Sequence, residues 1–255
     1  STEDALIHLT DTIKQRRADK NFVAVVAMDA SSAFDVLDRK LVLSTLEHMG
    51  AGPKMINFIR SFLHGTSQYV QINDSVSEPW TLEVGSGQGR VLSPPLFNVG
   101  TISQYYWATE LSDCSGFADD EMDVVYASTI EECNEKIRRL LSKRRKWFDL
   151  AGMSLNMEKT QIVGFGFKPD AQHLENVTIE PSTSLKFLGM TIQDDTKIDM
   201  HVADVCRKIR TAAEKIRTEG SLFNTSDRRK LYQAWVNGII CTNGGAYLPI
   251  LNSTQ

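Results

Sequence analysis

Apolar and polar positions alternate along the chain with periods that change from segment to segment. Residues 3–18 place Ala5, Leu6, Leu9 and Ile13 on one face, the spacing of an amphipathic helix with Thr2 as its cap. Phe22–Met28 (FVAVVAM) is a continuous apolar run rich in β-branched residues, which predicts a strand buried on both faces and ending at Asp29. Asp38 caps a predicted helix that stops at Gly50, and Pro53 opens another through Leu63. Residues 66–73 and 79–84 read as strands with a turn near Asn73–Asp74. A glycine-rich loop follows at Gly85–Gly89, and then a helix over Leu92–Trp107.

Further on, Ser115–Ala118 and Met122–Ala127 read as short strands around a turn at Asp119–Asp120. Ile130–Leu150 is a long basic helix. Thr160–Phe167 and Leu185–Ile192 are strands and Asp199–Glu219 is a helix. Gly220–Thr225 is a linker, Ser226 caps a last helix to Ile240, and Thr242–Gln255 is a loose tail. Strands and helices in this mixed order predict an α+β fold rather than a βαβ repeat.

Composition narrows the function classes. Of 255 residues, 42 % are apolar and 24 % charged, ordinary for a globular protein. No apolar run reaches membrane-spanning length, and the first residues lack the basic start and apolar stretch of a secretory signal. No membrane partner is therefore expected, and the setting is expected to be intracellular. Cys114, Cys133, Cys206 and Cys241 lie far apart, and the histidines are not at zinc-ligand spacing, so buried free thiols are expected. The net charge of −4 is unevenly spread. Aspartates gather at Asp29–Asp35 and Asp119–Asp123. Basic residues gather at Lys136–Lys146 and at Arg207, Lys208, Arg210, Lys215 and Arg217. An acidic centre with basic flanks suits a metal-using enzyme on a polyanion.

Asp29 emerges from a buried strand, and Asp119–Asp120 place two carboxylates at a tight turn. Carboxylates crowded together repel, and a hard divalent cation relieves that repulsion. Two such ions about 4 Å apart clamp both oxygens of an in-line phosphoryl transfer. Taken singly, each of these features is more often a solvated turn or a cap.

Their order carries more than any one of them. Asp29–Asp35 (DASSAFD), Gly85–Phe97 (GSGQGRVLSPPLF), Phe117–Asp120 (FADD), Trp147 through Leu155–Thr160 (LNMEKT) and Phe187–Ile192 (FLGMTI) resemble, in sequence order, five motifs of the reverse transcriptases of non-LTR (LINE-type) retrotransposons. They resemble more distantly those of group II introns and retroviruses. The resemblance implies a right-hand polymerase palm with partial fingers in residues 1–193 and a helical thumb-like or connector segment in 194–255, the upstream fingers strands being incomplete.

The implied activity is RNA-directed DNA polymerisation on an RNA template, with a DNA primer, dNTP and Mg²⁺, or Mn²⁺ in its place. The implied location is the nucleus or cytoplasm, as a ribonucleoprotein. Asp29, Asp119 and Asp120 would hold metal together with the Ala30 carbonyl. Lys159 would steady or protonate pyrophosphate. Phe34 would exclude a 2′-hydroxyl, Gln88 and Gly89 would lie against nucleotide and template base, and Leu188–Gly189 would grip the primer terminus. Two departures stand out: Gly87 where the family usually has Pro, and Arg90 where a small residue is common. Arg90 is expected either to hold phosphate or to obstruct the loop. The competing expectation is a non-catalytic scaffold of the same fold that binds nucleic acid or protein.

Overall fold

The computed structural model describes residues 1–31, 33–87, 89–117, 120–219 and 223–246. Strand β1, Phe22–Ser31, is its centre. It is longer than its apolar run predicts, so Asp29 lies within the strand rather than after it. The extension is held by a short strand at Ser154–Leu155, which pairs with Ala30 and Ser31. Antiparallel strands at Asp120–Ala127 and Gln161–Phe165 flank the main part of β1, and Ser112–Phe117 adds the edge beyond the first of these.

The chain-order labels are these. Helix α1 is Thr2–Ala18, α2 Ala33–Val36, α3 Arg39–His48 and α4 Pro53–Leu63. Strands β2–β5 are Ser67–Gln68, Gln71–Ile72, Ser75–Val76 and Trp80–Thr81. Helices α5 and α6 are Ser93–Thr101 and Ser103–Ala108. Strands β6 and β7 are Ser112–Phe117 and Asp120–Ala127, α7 is Ile130–Leu150, and β8 and β9 are Ser154–Leu155 and Gln161–Phe165. Hairpins β10–β11 (Gln172–Leu174, Val177–Ile179) and β12–β13 (Ser184–Phe187, Met190–Gln193) follow. Helix α8 is Asp199–Glu219, α9 is Thr225–Tyr232, a π-helical turn spans Gln233–Asn237 and α10 is Gly238–Cys241.

Burial on both faces explains the unbroken apolar run of β1. Val23 and Val25 point to one side, where Leu6, Leu9 and Ile13 of α1 pack with Met122, Val124, Phe165 and the β12–β13 hairpin. Ala24, Val26 and Met28 point to the other, against Cys133, Ile137, Leu140 and Leu141 of α7. A third cluster joins Leu37, Val42, Ile59, Leu63, Leu96 and Phe97 to Trp147 and Phe148, and so fixes the helices around the open end of the sheet.

Several local expectations are corrected. Ser1, not Thr2, caps α1, through a reciprocal capping box with Asp4. Residues 66–84 form only two-residue ladders, all exposed, because no layer covers them. The helix expected over Leu92–Trp107 breaks at Ile102. There the Thr101 hydroxyl bonds back to the Phe97 carbonyl at 3.0 Å, a contact that bends helices. Strand β7 begins at Asp120, so this carboxylate is a strand residue; Ala118 and Asp119 lie outside the described residues. Asn224, not Ser226, caps α9. Cys206 and Cys241 are exposed free thiols rather than buried ones. The supposedly loose tail is anchored as far as Ala246: Asn243 and Ala246 are buried, Thr2 donates to Asn243, and the Gly245 amide donates to Glu3.

Leu140 is fully buried between α7 and the sheet. Leu140→Ala is expected to lower stability by about 3 kcal/mol in a urea titration, with the slope unchanged. A loss under about 1 kcal/mol would show that the α7 interface is not packed as described.

Candidate active site

The open end of the sheet brings two carboxylates together. Asp29 and Asp120 are register partners across the β1–β7 ladder. By strand alternation both share the face of Val25, Met122 and Val124, the side of α1 and the β12–β13 hairpin. Like charges directly opposite on a ladder repel. Lys159 brings a cation to the pair: its Nζ donates to Asp29 Oδ2 at 2.9 Å. That hydrogen bond, with the attraction of the same carboxylate, holds the Lys159 pKa above its ordinary value.

Asn156 aims the lysine. Its amide donates to the Asp29 carbonyl at 2.9 Å, its side chain accepts from the Lys159 amide, and its carbonyl accepts from Thr160. The turn that presents Lys159 is thus tied to the strand that carries Asp29. A spacing of Asn-x-x-Lys after a strand is the sequence signal for such a turn, and Asn156 was not among the expected site residues.

Hard carboxylate oxygens that already seat an ammonium form a donor set that fits a divalent cation. Among the described residues no group of three His, Cys, Asp or Glu is placed to hold a metal; Asp119 lies outside them. Ala30 is placed by its backbone pairing with Leu155.

Phe34 stacks on Phe97 of α5, with ring centroids 4.4 Å apart and an interplanar angle of 26°. Its ring forms one wall of a cleft of about 440 Å³, beside Pro94, Asn98, Thr101, Tyr105 and Phe117. Gly85, Gly87 and Gly89 all adopt positive φ, as the loop chemistry requires. A Cβ on Gly85 would stand 2.5 Å from the Asp35 carbonyl oxygen. Gln88 lies outside the described residues; Gly89 is exposed.

Arg90 folds back beside Gly87 onto the segment before the loop. It lies 3.7 Å over the Phe62 ring and donates to Thr66 Oγ1 and the Phe62 carbonyl, 3.0 Å each. Leu188 and Gly189 are the turn of the β12–β13 hairpin, both at positive φ, and Asn243 donates to the Leu188 carbonyl.

Part of the basic helix face is held in ion pairs within the chain. Lys136 pairs with Glu132, Arg138 with Glu135, and Arg145 with Glu175 and Asp149. Arg144 is fully buried, so a phosphate contact from it is ruled out. Arg139 and Lys146 remain exposed. On α8, Arg207 and Lys208 both hold Asp204 and push its pKa down to about 2.

Arg144 organises a cluster that sequence reading missed. Its Nε and Nη2 reach the two oxygens of Asp123 at 3.0 and 2.9 Å, and Nη1 stands 3.5 Å from Glu121 Oε2. Ser112 donates to Asp123, and Gln104 donates to Glu121. Burial alone would depress the guanidinium pKa, but Asp123 and Glu121 outweigh it and raise it. Burial pushes the Tyr105 hydroxyl and the Cys114 thiol each up to about 12. The cluster lies on the α7 face of β7, opposite the face of Asp120, and ties the β6–β7 hairpin to α7.

Solved structures share this architecture. Telomerase of Candida albicans in complex with a fragment of telomeric RNA matches at a TM-score of 0.54 and 13 % identity, over 75 % of this chain and 33 % of that one. A telomerase structure from Candida tropicalis matches at 0.51 and 14 %, over 96 % and 42 %. The antiparallel sheet with its helices thus has the α+β fold of a right-hand polymerase palm, as the family resemblance implies.

The chain belongs to the reverse transcriptase (RNA-dependent DNA polymerase) family, whose model matches residues 2–192. Among its relatives in Drosophila melanogaster is a probable RNA-directed DNA polymerase from transposon BS. It is 25 % identical over 230 residues, 85 % of this chain and 25 % of the relative. The RNA-directed DNA polymerase from mobile element jockey is 20 % identical over 84 % of this chain and 24 % of the relative. The Pol polyprotein of the retrotransposable element R2DM is 27 % identical over 60 % of this chain and 15 % of the relative. These agree with the non-LTR resemblance of the motifs. The chain spans about a quarter of the length of the first of these relatives.

Burial raises the Glu121 pKa to about 7 from 4.5, with Arg144 opposing the shift. A carboxyl with a raised folded pKa contributes stability that is full below about 4.5 and is lost as pH rises through about 7. Glu121→Gln is therefore expected to gain stability relative to the unmodified chain between pH 5 and pH 8, by up to about 3 kcal/mol. Parallel pH–stability curves in thermal melts would contradict this.

Proposed function

We propose that this chain is the polymerising core of an RNA-directed DNA polymerase from a non-LTR retrotransposon. It would join a dNTP to a primer 3′-hydroxyl on an RNA template by two-metal nucleotidyl transfer. The observation that carries the reading is Asp29 facing Asp120 on one face of the ladder, with the Lys159 ammonium on Asp29. In a purely structural hairpin, like charges at paired positions would be a liability with no return.

Asp29, Asp119, Asp120 and the Ala30 carbonyl would hold divalent ions, Mg²⁺ or Mn²⁺. When bound, these would lower the pKa of the primer hydroxyl and neutralise charge on the phosphates. The ladder keeps Asp29 and Asp120 at fixed separation, so the site is preorganised. Lys159 would donate a proton to the departing diphosphate oxygen.

Phe34, braced by Phe97, would be the floor against which the nucleotide sugar packs, leaving no space for a 2′-hydroxyl. Gln88 and Gly89 would lie against the base pair, and the Leu188–Gly189 turn against the primer end. In this reading residues 1–193 are palm with partial fingers, and 194–255 are thumb-like or connector.

Primer extension on an RNA template with Mg²⁺ and deoxynucleotides tests the reading. Asp119→Ala is expected to lose at least about a thousandfold in incorporation while its thermal midpoint is unchanged. Activity equal to that of the unmodified chain would remove the assigned site. Folded protein without extension in either form would favour the non-catalytic scaffold. Phe34→Val should raise ribonucleotide incorporation relative to deoxynucleotide by about tenfold or more. An unchanged ratio would remove the gate.

A further inference from the structure

Arg39, the first residue of α3, is buried, with 8 % of its surface exposed. Its pKa is held below the ordinary value by burial and by Arg90, with Glu83 opposing. Among the described residues no carboxylate comes within ion-pair distance of it; three backbone carbonyls take that place. Nη1 donates to Leu82 at 2.7 Å, Nε to Gly85 at 2.9 Å and Nη2 to Val84 at 3.1 Å. A buried cation held only by carbonyls is costly unless its geometry is needed.

The gripped segment leads directly into the Gly85–Gly89 loop. The loop's first two amides hang from the segment that carries the gate: Gly85 N donates to the Leu37 carbonyl and Ser86 N to the Phe34 carbonyl, both at 3.0 Å. From the far side, Ser93 of α5 donates to the carbonyls of Ser86 and Gly87. A side chain at position 85 would collide with the Asp35 and Phe34 carbonyls, so only glycine lets the loop lie this near. Arg39 supplies the pull that keeps it from moving away.

We propose that Arg39 is a positioning residue for nucleotide selection: by gripping Leu82, Val84 and Gly85 it sets the gap between the Gly85–Gly89 loop and the Phe34 ring. This rests on the polymerase reading above. The planar guanidinium suits three carbonyls spread along one edge; the single ammonium of lysine reaches fewer of them. A shift of about 1 Å in a positioning element is worth up to about a hundredfold in rate or selection.

The test uses the whole chain with Arg39→Met and Arg39→Lys. Amide hydrogen exchange is read at Gly85 and Ser86, with Val25 and Val124 of the central sheet as controls. In Arg39→Met, exchange at the two loop amides should rise by about tenfold or more while the controls stay unchanged. The dNTP KM should rise about tenfold with kcat within about threefold, and ribonucleotide discrimination should fall. Arg39→Lys should lie between, and it carries the test alone if Arg39→Met does not fold. Unchanged exchange at Gly85 and Ser86, or an equal rise at the control amides, overturns the clamp. Loop exchange that rises without any change in KM or discrimination overturns its role in selection. An unmodified chain that incorporates no nucleotide refutes the polymerase reading, and with it the selective role, whatever the exchange shows.

Discussion

Two aspartates facing each other across an antiparallel ladder repel, and the surrounding structure holds them there. Strand β1 is gripped on both edges and buried on both faces along the run that precedes Asp29. A hydrogen-bonded ladder cannot slip by one residue without turning Val23, Val25 and their neighbours to the wrong face. The register that opposes Asp29 to Asp120 is therefore set by hydrophobic packing far from the charges. Lys159 offsets the local repulsion, and Asn156 ties the lysine's turn to the same strand.

The second demand is that β7 stay fixed relative to its helix. Apolar contact alone provides this along Val125 and Ala127, but toward the acidic end the α7 face of the strand carries Glu121 and Asp123. Arg144 completes that end by a bidentate contact with Asp123 and a longer one with Glu121. Removing Asp123 or Arg144 from this buried set leaves uncompensated charge. The opposite face of the same strand is left to Asp120. One strand thus bears a structural ionic cluster on one side and a candidate catalytic carboxylate on the other.

On the nucleotide side, Phe34 and the glycine loop are fastened both to each other and to helix α5. Phe34 leans on Phe97 of α5, Ser93 of the same helix takes the loop carbonyls, and Arg39 of α3 takes the strand before them. Arg90 lies beside Gly87, held by the Phe62 ring and Thr66 of the neighbouring segment.

Period and chemistry along the chain determined much of this. The continuous run of β1, the helices at Ile130–Leu150 and Asp199–Glu219, the positive-φ glycines and the order of five motifs are local properties that a single sequence carries. Even the burial of Arg144 is written there, since it falls on the stripe of Ile137, Leu140, Leu141, Trp147 and Phe148; the abundance of basic neighbours hid it. Only the tertiary structure decided the rest. It placed Asp120 in a strand opposite Asp29, seated Lys159 on Asp29 across 130 residues, folded Asn243 back onto the Leu188 turn, and turned Arg39 inward onto the Leu82–Gly85 carbonyls. Each of these is a contact between segments far apart in the chain. Local propensity is silent about such contacts, and they form only when packing of the sheet brings the segments together.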